Sequence, residues 1–143
     1  MTTLKQLIAA TIIGSTSMGS VADIAIIINK DNDIATMDTQ EIRSFYLGKR
    51  AKFSNGDAVT PLDQDAGSDI QTLFSKQVLR KSPSSLNSYW SRQMFSGKGT
   101  PPTQIKGGDN AVIHAVMNNK KAIAYIDASN VNPSVKVLLT IKQ

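Results

Sequence analysis

The chain has 143 residues, a formal net charge of +5 at pH 7 and 41% hydrophobic residues. These values fit one globular domain with a modest core and exclude an intrinsically disordered protein. The absence of cysteine excludes disulfide bonds, thiol nucleophiles and zinc-thiolate sites. The positive residues are dispersed rather than interleaved with aromatic residues, so we expect no nucleic-acid partner.

Residues 1–22 differ in composition from the rest of the chain. Lys5 is their only charged residue, and the apolar run from Leu7 to Met18 is too short and too rich in small residues to span a bilayer. Ser20-Val21-Ala22 places small residues at the two positions that signal peptidase reads. We therefore predict a secretory signal peptide over residues 1–22 and an exported domain over residues 23–143. A frayed N-terminal helix is the alternative.

The next elements alternate between strand and helix patterns. The continuous apolar run from Ile24 to Asn29 predicts a buried strand. The segment from Asp38 to Glu41 has capping-box spacing and predicts the start of a short helix, which Gly48 ends. A polar loop then leads to a second predicted strand from Ala58 to Leu62.

A Gly-Ser turn follows this second strand. Ser68 is a favourable N-cap, and the apolar spacing after it predicts a helix from Ser68 to about Arg80. The first N–H groups of a helix have no partner within the helix, and together with the helix dipole they favour anions. The Gly67-Ser68 opening is therefore one candidate anion site, and the opening from Gly107 to Asn110 is a second. Either opening can equally be a plain helix cap.

The second half of the chain continues the alternation. Ser82-Pro83 predicts another helix start, and Trp90 falls on its apolar face, which favours a core position. Residues 96–108 predict a loop, and Asp109 is expected to cap a helix. That helix is expected to bury Val112, Ile113, Val116 and Met117, and the closing strands are predicted at Ala122–Ile126 and Val135–Ile141. This order predicts an α/β lobe with a largely parallel or mixed sheet flanked by helices.

Patterns for catalysis and metal binding are incomplete. Asp63, Asp65 and Asp69 alternate as in a calcium loop, but Ser68 and Phe74 stand where that loop needs glycine and glutamate. His114 is the only histidine, and we expect it to be exposed. Because the sequence also lacks a Gly-x-Ser-x-Gly elbow, we expect no metal, no cofactor and no enzymatic activity.

Several local patterns match a known family in order and spacing. They are Glu41–Lys49, Asn55–Leu62, Gly67–Phe74 and Ala122–Ile126. With these patterns, residues 23–143 resemble the phosphate-binding proteins of bacterial ABC importers. The resemblance implies one lobe of a type 2 periplasmic binding protein fold, a periplasmic location and an oxyanion ligand such as phosphate.

The ligand loop departs from the family's pattern of arginine, any residue, aspartate, glycine, serine, glycine and threonine. The aligned residues here are Gln64, Asp65, Ala66, Gly67, Ser68, Asp69 and Ile70. The resemblance places ligand contacts in this loop, but only Ser68 and the nearby backbone N–H groups match the family's phosphate contacts. Glutamine in place of arginine removes a charge-assisted bidentate donor worth about 1.5–3 kcal/mol. Asp69 adds a negative charge beside the expected anion.

Family members are about twice as long and close two lobes on the ligand. A single lobe cannot bury an anion on all sides, so we expect weak, water-exposed binding of phosphate or a similar oxyanion. The alternative is a periplasmic interaction or sensory module that keeps the lobe fold without binding phosphate. The candidate protein partners are an ABC permease, a sensor domain or a second copy of the chain. An exposed apolar patch on the cleft side would favour this alternative.

Overall fold

The computed structural model describes residues 22–143, so the predicted signal peptide, apart from Ala22, lies outside the described residues. The strands are β1 (Ile24–Asn29), β2 (Thr60–Asp63), β3 (Thr103–Gln104), β4 (Ala122–Asp127) and β5 (Val135–Ile141). The α-helices are α1 (Thr39–Tyr46), α2 (Asp69–Phe74), α3 (Pro83–Phe95) and α4 (Gly108–Met117). A π-helical segment, Ser75–Leu79, extends α2, and a 3-10 turn, Ala128–Asn130, follows β4. Among these elements, no helix is both long enough and apolar enough to cross a membrane.

The five strands form one mixed sheet in the order β3-β2-β4-β1-β5. β2 is parallel to β3 and β4, whereas β1 is antiparallel to β4 and β5. This arrangement confirms the predicted α/β lobe with a mixed sheet. The carboxyl ends of β2 and β4 lie at the same edge of the sheet, and the candidate ligand loop follows β2 at that edge.

The central strand β1 contributes to hydrophobic cores on both faces of the sheet. Ile24, Ile26 and Ile28 belong to one core together with residues of α1 and the π-helical segment. Ala25 and Ile27 belong to the other core together with residues of α4. Alternate side chains of a strand point to opposite faces, and every residue of β1 is buried. The uninterrupted apolar run is therefore explained by a strand covered on both sides.

Three aromatic side chains fix α1 and α2 against β2 and β4. Phe74 stacks on Tyr125 with ring centroids 3.7 Å apart and an interplanar angle of 2°. Tyr46 packs edge-on against both rings. Its hydroxyl oxygen lies 2.7 Å from the carbonyl oxygen of Leu62 and 3.1 Å from that of Ile123. Packing between α1, α2 and the two strands thus fixes the position of α2 on the sheet.

Three predicted helix starts and one buried aromatic residue are confirmed. Asp38, Ser68 and Ser82 are N-caps whose side chains accept hydrogen bonds from the first turns of α1, α2 and α3. Trp90 is buried, as its position on the apolar face of α3 predicted. Local side-chain chemistry therefore determines where these three helices begin.

Other details of the prediction are wrong. Gly107, with φ of 112°, is the N-cap of α4, and Asp109 lies inside the first turn without capping it, because its carboxylate binds side chains and backbone elsewhere. Met117 is 47% exposed rather than buried. The segment after α3 contains the short strand β3, and the last turns of the helix from Ser68 are π-helical.

Two glycines that end helices test the packing of Trp90. Gly48 and Gly97 both follow the C-cap residue of a helix and have φ of +70° and +69°. We expect Gly48→Ala and Gly97→Ala each to lose about 1–2 kcal/mol of unfolding free energy from left-handed backbone strain. A Cβ at position 48 would also lie 3.1 Å from Trp90, whereas none of the described atoms lies within 4 Å of a Cβ at position 97. Urea denaturation should show about 1 kcal/mol of additional loss for Gly48→Ala, and equal losses would contradict this packing.

Candidate functional site

The Gly67-Ser68 turn is open to solvent at the carboxyl end of β2. Gly67 has φ of +77°, a conformation that glycine adopts without strain, and a Cβ built there meets none of the described atoms within 4 Å. Ser68 is in an extended conformation as the N-cap of α2. The turn therefore has the exposed backbone that an anion site at this position requires.

Most donors of the turn already have acceptors within the chain. The Gly67 N–H donates to Oε1 of Gln71 at 2.9 Å, and the Ser68 N–H donates to the carbonyl of Asp65 at 3.1 Å. Within residues 22–143, no acceptor is found for the N–H groups of Asp69 and Ile70. These two backbone groups are the donors that remain available to a ligand.

The hydroxyl group of Ser68 is also engaged. It donates to the carbonyl of Asp65 at 2.7 Å and accepts from the N–H of Gln71 at 3.4 Å. The hydroxyl would have to leave Asp65 before it could donate to an anion. The predicted ligand contact of Ser68 therefore competes with a bond that stabilises the turn.

Gln64 is buried and does not line the open turn. The side chain is 1% exposed, and its Nε2 donates to Oδ1 of Asp109 at 2.8 Å and to the carbonyl of Tyr125 at 2.9 Å. Oδ2 of Asp65 accepts from the Gly107 N–H at 3.2 Å. These bonds join the openings of α2 and α4, the two candidate anion sites, but they also place a carboxylate on a donor of the second opening.

A recess with a volume of about 440 Å³ lies beside the first turn of α2. It is lined by Ala22, Asp69, Ile70, Leu73, Asp109, Asp127 and Asn130. Neither lysine nor arginine is among these described residues, so the carboxylates oppose the binding of an anion. In residues 22–143 no group of three or more histidine or acidic residues could hold a metal ion.

Two polar residues of the recess, Asp127 and Asn130, were not identified from the sequence. The carboxylate of Asp109 accepts from the backbone N–H of Asp127 at 3.1 Å and from Nδ2 of Asn130 at 2.8 Å. Asp127 ends β4, and Asn130 belongs to the turn after it. The only local signal was that these polar residues follow a buried strand, at the edge where α/β sheets carry their sites.

Asp63 connects the open turn to the buried aromatic residues. The Tyr125 hydroxyl donates to Oδ1 of Asp63, and Nε2 of Gln71 donates to Oδ2 at 3.2 Å. Burial, followed by the negative charge of Asp63, raises the pKa of Tyr125 and that of Tyr46. Both phenols therefore stay protonated, so Tyr125 remains a hydrogen-bond donor to the carboxylate.

Solved structures similar to this chain are phosphate transport binding proteins. A phosphate ABC transporter substrate-binding protein from Clostridium perfringens, with bound phosphate, matches 83% of this chain with a TM-score of 0.65 and 21% identity. PstS from Borrelia burgdorferi matches 83% with a TM-score of 0.62 and 11% identity. An ABC-type phosphate transport receptor from Vibrio cholerae matches 83% with a TM-score of 0.56 and 15% identity. No protein-family model and no curated protein matches the sequence.

The matches cover 46%, 48% and 47% of those three proteins, respectively. The chain thus spans about half the length of the structures it matches. The similarity confirms the expected fold, one lobe of a periplasmic binding protein. At these identities the likeness concerns the fold alone.

The raised pKa values of Tyr46 and Tyr125 predict a loss of stability in alkali. In the unfolded chain both phenols ionise near pH 10, a value of about 10 being normal for tyrosine, whereas in the folded chain they stay protonated. Their contribution is fully present below about pH 10 and decreases by up to about 1.4 kcal/mol per pH unit for each tyrosine as the pH rises toward the folded pKa.

Urea denaturation at intervals between about pH 9 and pH 11 should show this decrease in unfolding free energy. Tyr125→Phe should show a smaller decrease, because only Tyr46 then contributes. A constant unfolding free energy over this range would contradict the assignment.

Proposed function

We propose that this chain is an exported, single-lobe protein that binds phosphate or a similar oxyanion weakly. The observation that carries the proposal is the open Gly67 corner, where the N–H groups of Asp69 and Ile70 are free in the described part of the chain. The fold supports it, since a structural neighbour from Clostridium perfringens contains bound phosphate. Binding without chemical conversion is the proposed activity, so the protein is not an enzyme.

Two N–H groups of a helix start can each donate to one oxygen of a tetrahedral anion, and the helix dipole adds a favourable potential. The affinity is weak because the Gln64 side chain is an uncharged amide and is buried against Asp109. The exposed carboxylate of Asp69 further weakens the binding of a dianion. A hydrogen phosphate can offset part of this repulsion by donating its own O–H to Asp69, whereas sulfate has no such hydrogen.

Export and transport complete this proposal. The predicted signal peptide over residues 1–22 would deliver residues 23–143 to the periplasm. There the proposed role is to hold phosphate for an ABC permease. A second copy of the chain is the partner that could rebuild a two-lobed cleft.

A second candidate function is an interaction or sensory module that uses the lobe without an anion. An exposed apolar surface on α3 favours it, since Met94 is 51% and Phe95 is 96% exposed. Met94 belongs to a groove that reaches the Gly67 corner. Met94 therefore lines the same groove as the Gly67 corner of the candidate anion site.

Removing the charge of Asp69 tests the anion site. We expect Asp69→Asn to bind phosphate several-fold more tightly, because the nearest opposing carboxylate is lost and the backbone donors remain. The affinity for sulfate should increase more than the affinity for phosphate, since sulfate cannot donate a hydrogen bond to Asp69. Isothermal titration of residues 23–143 with both anions, at constant low ionic strength, measures these changes.

Asp33→Asn is the matched control, because Asp33 is also exposed and lies in the loop after β1. It makes the same change in net charge and should leave both affinities unchanged. If none of the three proteins binds either anion at millimolar concentration, the anion-binding proposal is wrong and the interaction module remains. Equal gains in the two variants would indicate a net-charge effect without a site.

A further inference from the structure

A groove runs between α2 and α3 and is separate from the acidic recess. Its volume is about 660 Å³. The wall formed by α3 consists of Pro83, Leu86, Asn87, Trp90, Ser91 and Met94. The facing wall includes Gly67, Gln71 and Ser75, and the segment after α3 adds Pro101, Pro102 and Gln104. The residues of α3 recur at spacings of three and four, so a continuous stripe of the helix lines the groove.

The dimensions of the groove suit an extended chain. Pro83 and Met94 lie eleven positions apart at opposite ends of the α3 wall. A helix rises about 1.5 Å per residue, so the wall is about 16 Å long. An extended polypeptide advances about 3.3 Å per residue, and about five residues would therefore fill this length.

The wall chemistry combines apolar surface with amide groups. Trp90 and Leu86 provide a packed apolar surface, and Met94 is half exposed at one end. Tryptophan is frequent among residues that dominate binding energy, and methionine adapts its shape to different partners. Asn87 and Gln104 carry amide oxygens that can accept from the backbone of a bound segment. These features match a polypeptide better than an inorganic anion.

The charge of the groove indicates which charge a bound partner segment carries. Asp63 is the one charged residue among its described lining residues, and its carboxylate also accepts hydrogen bonds from Tyr125 and Gln71. The described lining residues include neither lysine nor arginine, although the chain as a whole has a net charge of +5. The groove therefore carries one negative charge and no positive charge among its described lining residues, which favours a segment that carries positive charge.

We propose that this groove binds an extended, basic and apolar segment of a partner protein, about five residues long. An apolar side chain of the segment packs on Trp90 and Met94, and a lysine or arginine lies toward Asp63. The inference deepens the interaction function given above as the second candidate. It does not depend on oxyanion binding, which uses the backbone of Asp69 and Ile70.

The single tryptophan of the chain, Trp90, makes binding directly measurable. The probes are an eight-residue peptide with alternating lysine and leucine and a matched peptide with alternating glutamate and leucine. In phosphate-free buffer, the basic peptide should change the Trp90 emission saturably and bind at least tenfold more tightly than the acidic one. Titration of the wild type with phosphate in a separate experiment keeps this result independent of the anion site.

Met94→Lys and Met117→Lys form a matched pair of variants. The two methionines are 51% and 47% exposed, and each variant adds the same charge, but only Met94 lines the groove. We expect Met94→Lys to weaken binding of the basic peptide at least tenfold and Met117→Lys to leave the affinity for this peptide nearly unchanged. Circular dichroism and urea denaturation verify that both variants fold.

Four outcomes would overturn the proposal. The first is that the basic peptide causes no saturable change, and the second is that the two peptides bind equally. The third is self-association of the wild type in sedimentation velocity that Met94→Lys abolishes, which would assign the groove to a second copy of the chain. Equal losses in the two lysine variants would show that the peptide responds to net charge rather than to the groove.

Discussion

The stacking of Phe74 on Tyr125 is the interaction on which the candidate site depends. The two rings lie 3.7 Å apart and nearly parallel, and both are fully buried. Phe74 ends α2, and Tyr125 belongs to β4, so the contact sets the distance between the helix and the sheet edge. Buried aromatic residues account for much of a core's packing energy. The stack therefore fixes α2 on the sheet, and with it the turn that precedes α2.

The interactions that hold the turn also limit what it can bind. The side chain of Gln71 accepts a hydrogen bond from the Gly67 N–H. The carbonyl of Asp65 accepts from both the N–H and the hydroxyl of Ser68. Each bond reduces the conformational freedom of the loop but removes a donor from solvent. The side chain of Gln64 is buried and bound to Asp109. Much of the loop's polar chemistry thus serves its own structure.

Features encoded in short segments could be predicted from the sequence. The apolar runs identified β1 and β5, and the side chains of Asp38, Ser68 and Ser82 identified three helix starts. The bond between Gln64 and Asp109 joins residues 45 positions apart, and no local pattern contains such a pairing. The groove could not be predicted either. Helical spacing indicates that Trp90 is buried, but it does not show which residues from other segments line a groove together with Trp90.

The acidic recess and the groove lie on different sides of α2. Asp69, Ile70 and Leu73 line the acidic recess, whereas Gly67, Gln71 and Ser75 line the groove. With 3.6 residues per turn, Gln71 and Ser75 fall on the side of the helix opposite to the recess residues. Gln71 also accepts from the Gly67 N–H at the open corner, so the groove side of α2 and the candidate anion site share this contact. Anion binding by the N–H groups of Asp69 and Ile70 and segment binding in the groove therefore use different groups that lie near the same Gly67 corner.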